Sequence, residues 1–390
     1  MVKILGVVMN ICVLGISGSI GKQTLDIIEK YPDCFTLVSF SVGKHTRSIS
    51  SILRKHPTVT HVFMLDNQSA KYYREKYPNV TFLSKRDGLR TIITLSDCEM
   101  VVNALVGFVG LEPSLTALQN NKKLALANKE SLVVGGQLIN SLLANGHGVL
   151  YPIDSEHSTL MKCLMVDSFN VHKLMLTASG GAFRKLKLED LQDVTIEDAL
   201  KHPTWKMGKK ITVDCATMMN KAFELVEAYH LYGYEPKQLG ITLHDESYLH
   251  SYVVYNDGEM RGELNRPNMK NPIQFALFEC KFPYKTVTFS KLSDLKGLHF
   301  HDFDMKRYPL VKYGYEIIEK GGAFGAIVNA ANEIAVNAFI NHQIGFLDID
   351  KVISYAVKHV KNYQDPDFER LVKVDMRTRR VAKKFIREGL

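Results

Sequence analysis

The stretch ICVLGISGSIGKQTLDII, residues 11–28, constrains the fold more than any other part of the chain. An apolar run from Ile11 to Leu14 meets Gly15, Gly18 and Gly21, and an amphipathic helical pattern follows at once. Glycine permits a tight turn and a close approach of backbone to a ligand, while the unbonded N–H groups of a helix N-terminus favour an anion. A strand, glycine turn and helix in this order cradle a dinucleotide pyrophosphate, here with GxxGxxG spacing in place of the commoner GxGxxG. The apolar opening MVKILGVVMNICVLGI has some character of a signal peptide, but Asn10 interrupts it and it leads straight into the glycine turn. It therefore reads as the first strand.

Further short apolar runs at 36–42, 61–65 and 100–105 alternate with helical patterns, and Leu124–Leu126 adds another. That rhythm predicts a parallel sheet with crossover helices, closing near Gly148. In NAD-binding units the second strand ends in an acid that holds the ribose hydroxyls. Here TLVSFSVGKHTRS ends in Gly43, Lys44 and His45, with Arg47 close behind. Those side chains attract a 2′-phosphate where an acid would repel it, so the cofactor is expected to be NADP(H).

A chain of 390 residues is long enough for two or three domains. Beyond residue 150 the rhythm changes. KLMLTAS and YLHSYVVY read as strands beside a long helix, which predicts an α+β domain to about residue 275. FSKLSDLKGLHFHDFDMKRYP reads as a connector. From about residue 308, GAIVNAANEIAVNAFI, DIDKVISYAVKHV and VDMRTRRVAKKFI predict three helices.

The six cysteines show no CxxC pairing, which fits free thiols in a reducing compartment. The formal net charge is +8, but residues 373–390 carry seven cations against two acids and so supply five of those eight charges. No aromatics interleave with that run as a nucleic-acid stacking surface requires, so it reads as the solvated face of a terminal helix. No stretch is long enough to span a membrane.

YPIDSEHS places Asp154 and Glu156 two residues apart. In an extended segment both point to one side, and two convergent carboxylates repel unless they share a proton or hold a cation. In DCATMMNKAFELVEA, helical spacing brings Asn220, Lys221 and Glu224 onto adjoining positions beside an apolar stripe of Ala216, Met219, Phe223 and Val226. Glu224 then offers a third oxygen ligand for Mg2+ or Mn2+, and Lys221 with Asn220 suits an anionic group.

GISGSIG, GLEPSLTALQNNKKLALANKESLV, PIDSEHS, TASGGAFR, HPTWKMGKKITVDCATMMNKAFELVEA and VNAANEIAV occur in the order and spacing of the 1-deoxy-D-xylulose 5-phosphate reductoisomerase family, which nearly the whole chain resembles. The resemblance implies an α/β Rossmann-like N-terminal domain, an α+β central catalytic domain and a C-terminal α-helical domain. Its divisions are 1–149 for NADPH binding, 150–278 for catalysis and metal binding with a flap near 199–209, 279–307 as linker and 308–390 as the helical domain. It implies that Ser17, Gly18, Ser19 and Ile20 line the pyrophosphate site and Gly43, Lys44 and His45 the adenosine-phosphate end. Asn128 and Glu130 match the nicotinamide side, and Gly208 falls near the cofactor.

Asp154, Glu156 and Glu224 match the family's metal ligands. Lys129, Ser155, Glu156, Ser179, His202, Cys215, Asn220, Lys221 and Glu224 match its substrate contacts, with Lys129, Glu156 and His202 in the catalytic set. Trp205 and Met207 match the flap that closes over the substrate. Cys215 stands where the family has a phosphate-binding serine, and a thiol is the weaker donor. The implied activity is NADPH- and metal-dependent conversion of 1-deoxy-D-xylulose 5-phosphate to 2-C-methyl-D-erythritol 4-phosphate, by a cytoplasmic homodimer that binds neither nucleic acid nor membrane. Lys129 and Glu156 both remain candidates for the general base. The alternatives are a simple NADP-dependent semialdehyde or hydroxy-acid dehydrogenase, in which the acids are structural, and a non-catalytic NADPH-binding sensor.

Overall fold

The computed structural model describes residues 8–84, 87–205, 207–281, 291, 293, 295 and 297–390. The chain divides into two compact units. Unit one comprises residues 1–128, 138–154 and 268–287, and unit two comprises 129–137, 155–267 and 288–390.

The first unit is built on strands β1 (Met9–Leu14), β2 (Phe35–Val42), β3 (His61–Met64), β4 (Thr81–Leu83), β5 (Met100–Asn103), β6 (Lys123–Leu126) and β7 (Val149–Pro152). Its helices are α1 (Ser19–Lys30), α2 (Ile49–Lys55), α3 (Asn67–Lys76), α4 (Gly88–Leu95), α5 (Leu111–Gln119) and the C-terminal part of α6 (Glu130–Ala144), which kinks at Gly135. The seven strands pair in the order β4-β3-β2-β1-β5-β6-β7, all parallel. Chain order therefore reverses direction between β1 and β5, the switch point at which doubly wound sheets open a crevice beyond the strand carboxyl ends. Ile11, Val13, Phe40 and Val102 are fully buried, as a sheet covered on both faces requires.

Two short strands, β4 and β7, escaped the sequence reading. Each has only three or four residues and no periodicity of its own. β7 completes the sheet just beyond the point where the pattern seemed to close.

The second unit holds α7 (Ser155–Val166), β8 (Val171–Ala178), α8 (Ile196–Ala199), α9 (Lys209–Thr217), α10 (Met219–Tyr232), β9 (Leu239–His244), β10 (Leu249–Tyr255) and β11 (Met260–Leu264). Helix α11 (Lys270–Leu277) lies in the first unit and packs on α1, although the sequence division groups it with the central stretch. The second unit resumes with β12 (Phe300–Asp302), α12 (Lys312–Lys320), α13 (Phe324–Ile340), α14 (Asp348–His359) and α15 (Phe368–Glu388). Its mixed five-stranded sheet runs β11-β10-β8-β9-β12.

The expected connector is thus partly a strand, since β12 pairs antiparallel with β9. The remainder of that connector at 282–290, 292, 294 and 296 lies outside the described residues. Four helices, not three, follow residue 308. α12 is the addition, and its Tyr313 and Ile317 join the same core as Phe223, Val328 and Ile353. No helix among the described residues is long and apolar enough to cross a membrane.

Candidate active site

In the first unit the glycine turn sits where β1 ends. Gly15 has φ +81°, and a Cβ there would stand 2.8 Å from the Ala104 carbonyl oxygen. A Cβ on Gly21 would stand 2.3 Å from the Gly15 carbonyl oxygen, so helix and turn are packed as closely as only glycine allows. Ser41 on the neighbouring strand fixes the turn: its hydroxyl accepts from Gly15 N–H at 2.8 Å and its carbonyl from Ile16 N–H at 3.0 Å. Gly18 caps α1 with extended backbone, and no acid occupies the first turn.

Ser17 and Ile20 are half-buried and Gly18 and Ser19 exposed, which leaves the helix start open to an anion. Gly43 is half-buried and Lys44 and His45 are exposed just beyond β2, the strand adjacent to β1. Asn128 follows β6 and is buried, donating to the carbonyls of Leu105 and Gly107, each at 3.0 Å.

The acidic cluster forms at the start of α7 and on α10. Ser155 and Glu156 are the first two residues of α7, and Asp154 precedes Ser155 by a single peptide bond. One ligand oxygen from each of Asp154, Glu156 and Glu224 lies within 4.8 Å of the other two. The extended geometry expected for the DxE pair is corrected: β7 stops at Pro152 and the chain enters a helix. Asp154 and Glu156 converge because both sit at a helix start, where acids are favoured by the unbonded N–H groups.

Cations surround this cluster. Lys221 Nζ contacts Glu156 Oε1 at 3.0 Å and also pairs with Glu224. Lys129 Nζ lies 3.2 Å from Glu224 Oε1, and the Asn220 amide donates to the same carboxylate. Ser155 donates to Glu156 Oε2 at 2.5 Å.

DCATMMNKAFELVEA is two helices, not one: Met218 takes a left-handed conformation, φ +62°, between α9 and α10. Cys215 lies on α9, before that break. Burial, and then the nearby Glu224 carboxylate, push its thiol up to about 12, so it stays protonated. The loop after β8 reaches α9 closely. At Gly181, φ +70°, a Cβ would stand 2.5 Å from the Cys215 carbonyl oxygen.

That loop carries Ser179, whose hydroxyl lies 3.2 Å from His202 Nε2. His202 Nδ1 accepts two backbone N–H groups, from Thr204 at 3.2 Å and Trp205 at 3.0 Å. Nδ1 therefore carries no proton, and Nε2–H donates to Ser179. Burial, reinforced by Arg184, lowers the imidazole pKa to about 4 and keeps this tautomer neutral. Trp205 and Met207 are half-buried, and the Trp205 ring lies 5.9 Å from that of His250. Lys206, within the expected flap, lies outside the described residues.

Sequence reasoning missed a second layer. Glu227 is buried, with its carboxylate 3.8 Å from Lys129 Nζ and 3.4 Å from His157 Nε2. Lys210, the second residue of α9, bridges Glu130 at 2.7 Å and Asp214 at 2.9 Å. Burial disfavours the Glu130 carboxylate, but Lys210 outweighs it and holds the group below the usual range. Asn332 of α13 donates to the other oxygen of Asp214 at 2.9 Å. The available signals were the i, i+3 spacing of Glu224 and Glu227 and the i, i+4 spacing of Lys210 and Asp214.

Three family models match the chain: 1-deoxy-D-xylulose 5-phosphate reductoisomerase over residues 11–136, its C-terminal domain over 150–232, and a further DXP reductoisomerase C-terminal domain over 264–381. A protein of Bacillus thuringiensis subsp. konkukian (strain 97-27), named 1-deoxy-D-xylulose 5-phosphate reductoisomerase 2, is 39% identical over 374 residues, 95% of this chain and 98% of that one. The chain belongs to the 1-deoxy-D-xylulose 5-phosphate reductoisomerase family.

Solved reductoisomerases match nearly the full length of the chain. A crystal structure of DOX-P reductoisomerase in complex with NADPH, fosmidomycin and magnesium matches with a TM-score of 0.91 at 30% identity, covering 98% of this chain and 100% of that one. The Zymomonas mobilis enzyme in complex with NADPH matches with a TM-score of 0.90 at 32% identity, covering the same shares. The reductoisomerase fold expected from sequence, a Rossmann-like unit followed by α+β and helical regions, is therefore the fold of this chain.

Proposed function

We infer that the protein rearranges 1-deoxy-D-xylulose 5-phosphate to 2-C-methyl-D-erythrose 4-phosphate and reduces this aldehyde with NADPH to 2-C-methyl-D-erythritol 4-phosphate. The observation that carries this is the convergence of Asp154, Glu156 and Glu224 within 4.8 Å in a chain of the reductoisomerase family. A reductase acting alone has no need of such a cluster. Three carboxylates at this spacing repel one another, and their all-oxygen donor set suits a hard divalent ion, Mg2+ or Mn2+. When bound, that ion supplies positive charge that stabilises oxyanions during the carbon–carbon rearrangement.

The chain's own residues do the rest. Lys129, beside Glu224, holds an ammonium next to the cluster, and Lys129 and Glu156 are the two groups suited to carry a proton there. Asn220, Lys221 and Ser179 offer donors to the substrate phosphate, with Ser155 and Cys215 as further contacts. His202 orients Ser179 through its Nε2–H. Trp205 and Met207 belong to a flap that excludes water from a reactive aldehyde.

Ser17, Gly18, Ser19 and Ile20 receive the NADPH pyrophosphate, and Gly43, Lys44 and His45 the 2′-phosphate end. Asn128 and Glu130 flank the nicotinamide, and Gly208 lies near the cofactor. The fit is supported by the packed glycine turn and the acid-free start of α1. In the same reading, residues 1–149 bind cofactor, 150–278 carry catalysis and 308–390 form the helical domain. The chain works as a cytoplasmic homodimer. Its six free cysteines support a reducing compartment, and the family resemblance supports the dimer.

Feeding the two substrates separately tests the division of labour. Metal-stripped protein is expected to oxidise NADPH with the rearranged aldehyde while staying inert toward the ketose phosphate. Failure with both substrates would contradict a cluster that serves the rearrangement alone.

A further inference from the structure

The C-terminal helix carries more positive charge than solvation of its outer face explains. Arg370, Lys373, Arg377, Arg380, Lys384 and Arg387 recur at i, i+3, i+7, i+10, i+14 and i+17, so they form one stripe along α15. The two ends of the stripe differ. Lys384 and Arg387 pair with Glu388. Arg370, Lys373 and Arg377 make no ion pair among the described residues and instead line a solvent-open pocket of about 360 Å³.

Two further basic side chains enter that pocket from a different part of the chain, His359 at the end of α14 and Lys361 just after it. No carboxylate lines it. Asp367, the nearest acid in sequence to Arg370 on its N-terminal side other than Glu369, is engaged as the helix cap and accepts from Arg370 N–H at 2.7 Å.

The arrangement is held in place. The Tyr363 ring lies beneath both Lys361 Nζ, 5.2 Å from its centroid, and the Arg370 guanidinium, 4.8 Å from it. Tyr363 is itself anchored, because its carbonyl accepts from Ala323 N–H at 2.9 Å at the start of α13. Four cationic side chains from two segments thus converge on one concavity that no carboxylate lines. Such convergence is unfavourable unless an anion offsets it.

We propose that this pocket is a binding site for a small anion bearing two or more phosphoryl groups, of the diphosphate class. Two arginines supply planar donor forks and two lysines supply point charges, the combination that suits adjacent phosphates. At about 360 Å³ the pocket has room for more than a single phosphate. None of its residues belongs to the carboxylate cluster or the glycine turn, so the proposal does not depend on the catalytic reading.

Titration calorimetry of the full-length protein with inorganic diphosphate, in metal-free buffer, tests it. The expected result is saturable binding that weakens with added salt. In the double variant Lys373→Ala/Arg377→Ala the affinity falls on the order of a hundredfold, since each lost charge-assisted bond is worth about tenfold. Both residues are exposed, so the thermal midpoint and the KM for substrate and for NADPH stay at wild-type values. The proposal is overturned if the double variant binds diphosphate as wild type does, or if Lys221→Ala abolishes all binding, which would place the ligand in the substrate site. Retention on phosphatidylglycerol vesicles without saturable diphosphate binding also overturns it, in favour of a lipid surface.

Discussion

At the scale of single residues, proximity was legible where residue type and spacing both spoke. Asp154, Glu156, Glu224 and Lys221 were named from sequence and lie together. Glu227 and His157 were not named: the i, i+3 spacing of Glu224 and Glu227 went unused, and a buried Glu–His contact between residues 70 positions apart leaves no local trace of the histidine. Glu224→Gln keeps the side chain's size and removes its charge. Turnover of the ketose phosphate is expected to fall on the order of a thousandfold, as loss of several kcal/mol of charge stabilisation implies, while NADPH affinity measured by fluorescence titration is unchanged. Equal loss of NADPH binding would remove Glu224 from the metal site.

His202 makes a second residue-scale prediction. Its folded pKa of about 4 lies below the ordinary 6.5, so the unfolded chain takes up the proton first as pH falls. The contribution of His202 to stability is present in full above pH 6.5 and is lost progressively between there and pH 4. A His202→Asn variant should show a shallower decline of urea midpoint across that window than wild type. Parallel declines would mean that the imidazole is not held neutral.

At the scale of elements, the long strands and helices were readable, and the short ones and the breaks were not. β4, β7 and β12 have three or four residues and owe their existence to neighbours in the sheet. The left-handed Met218 that divides α9 from α10 is a non-glycine residue in a conformation that sequence gives no reason to expect. The ion network around Lys210 is likewise a product of packing. Lys210 joins Glu130, at the start of α6, to Asp214 on α9, and Asn332 extends the link to α13. Lys210→Met would strand two buried carboxylates and is expected to destabilise the protein by about 3–5 kcal/mol in urea unfolding. Lys210→Arg, which keeps the charge, should recover most of that loss. If Met is tolerated as well as Arg, the network contributes packing and not charge.

At the scale of the whole molecule, the first sheet was foreshadowed by one glycine turn and a succession of apolar runs. The second unit became legible chiefly through the family's ordered motifs. Its sheet mixes parallel and antiparallel pairing between strands distant in sequence, which no local pattern encodes. The placement of α11 in the first unit, returning after a long excursion, is of the same kind. The central claim is that one chain couples a metal-dependent rearrangement to an NADPH-dependent reduction. It is tested most directly by following NADPH absorbance with 1-deoxy-D-xylulose 5-phosphate, with Mg2+ or Mn2+ and with chelator. The account predicts oxidation of one NADPH per ketose phosphate consumed, dependent on the metal and yielding 2-C-methyl-D-erythritol 4-phosphate. Oxidation at the same rate in chelator, or none with metal present, would contradict it.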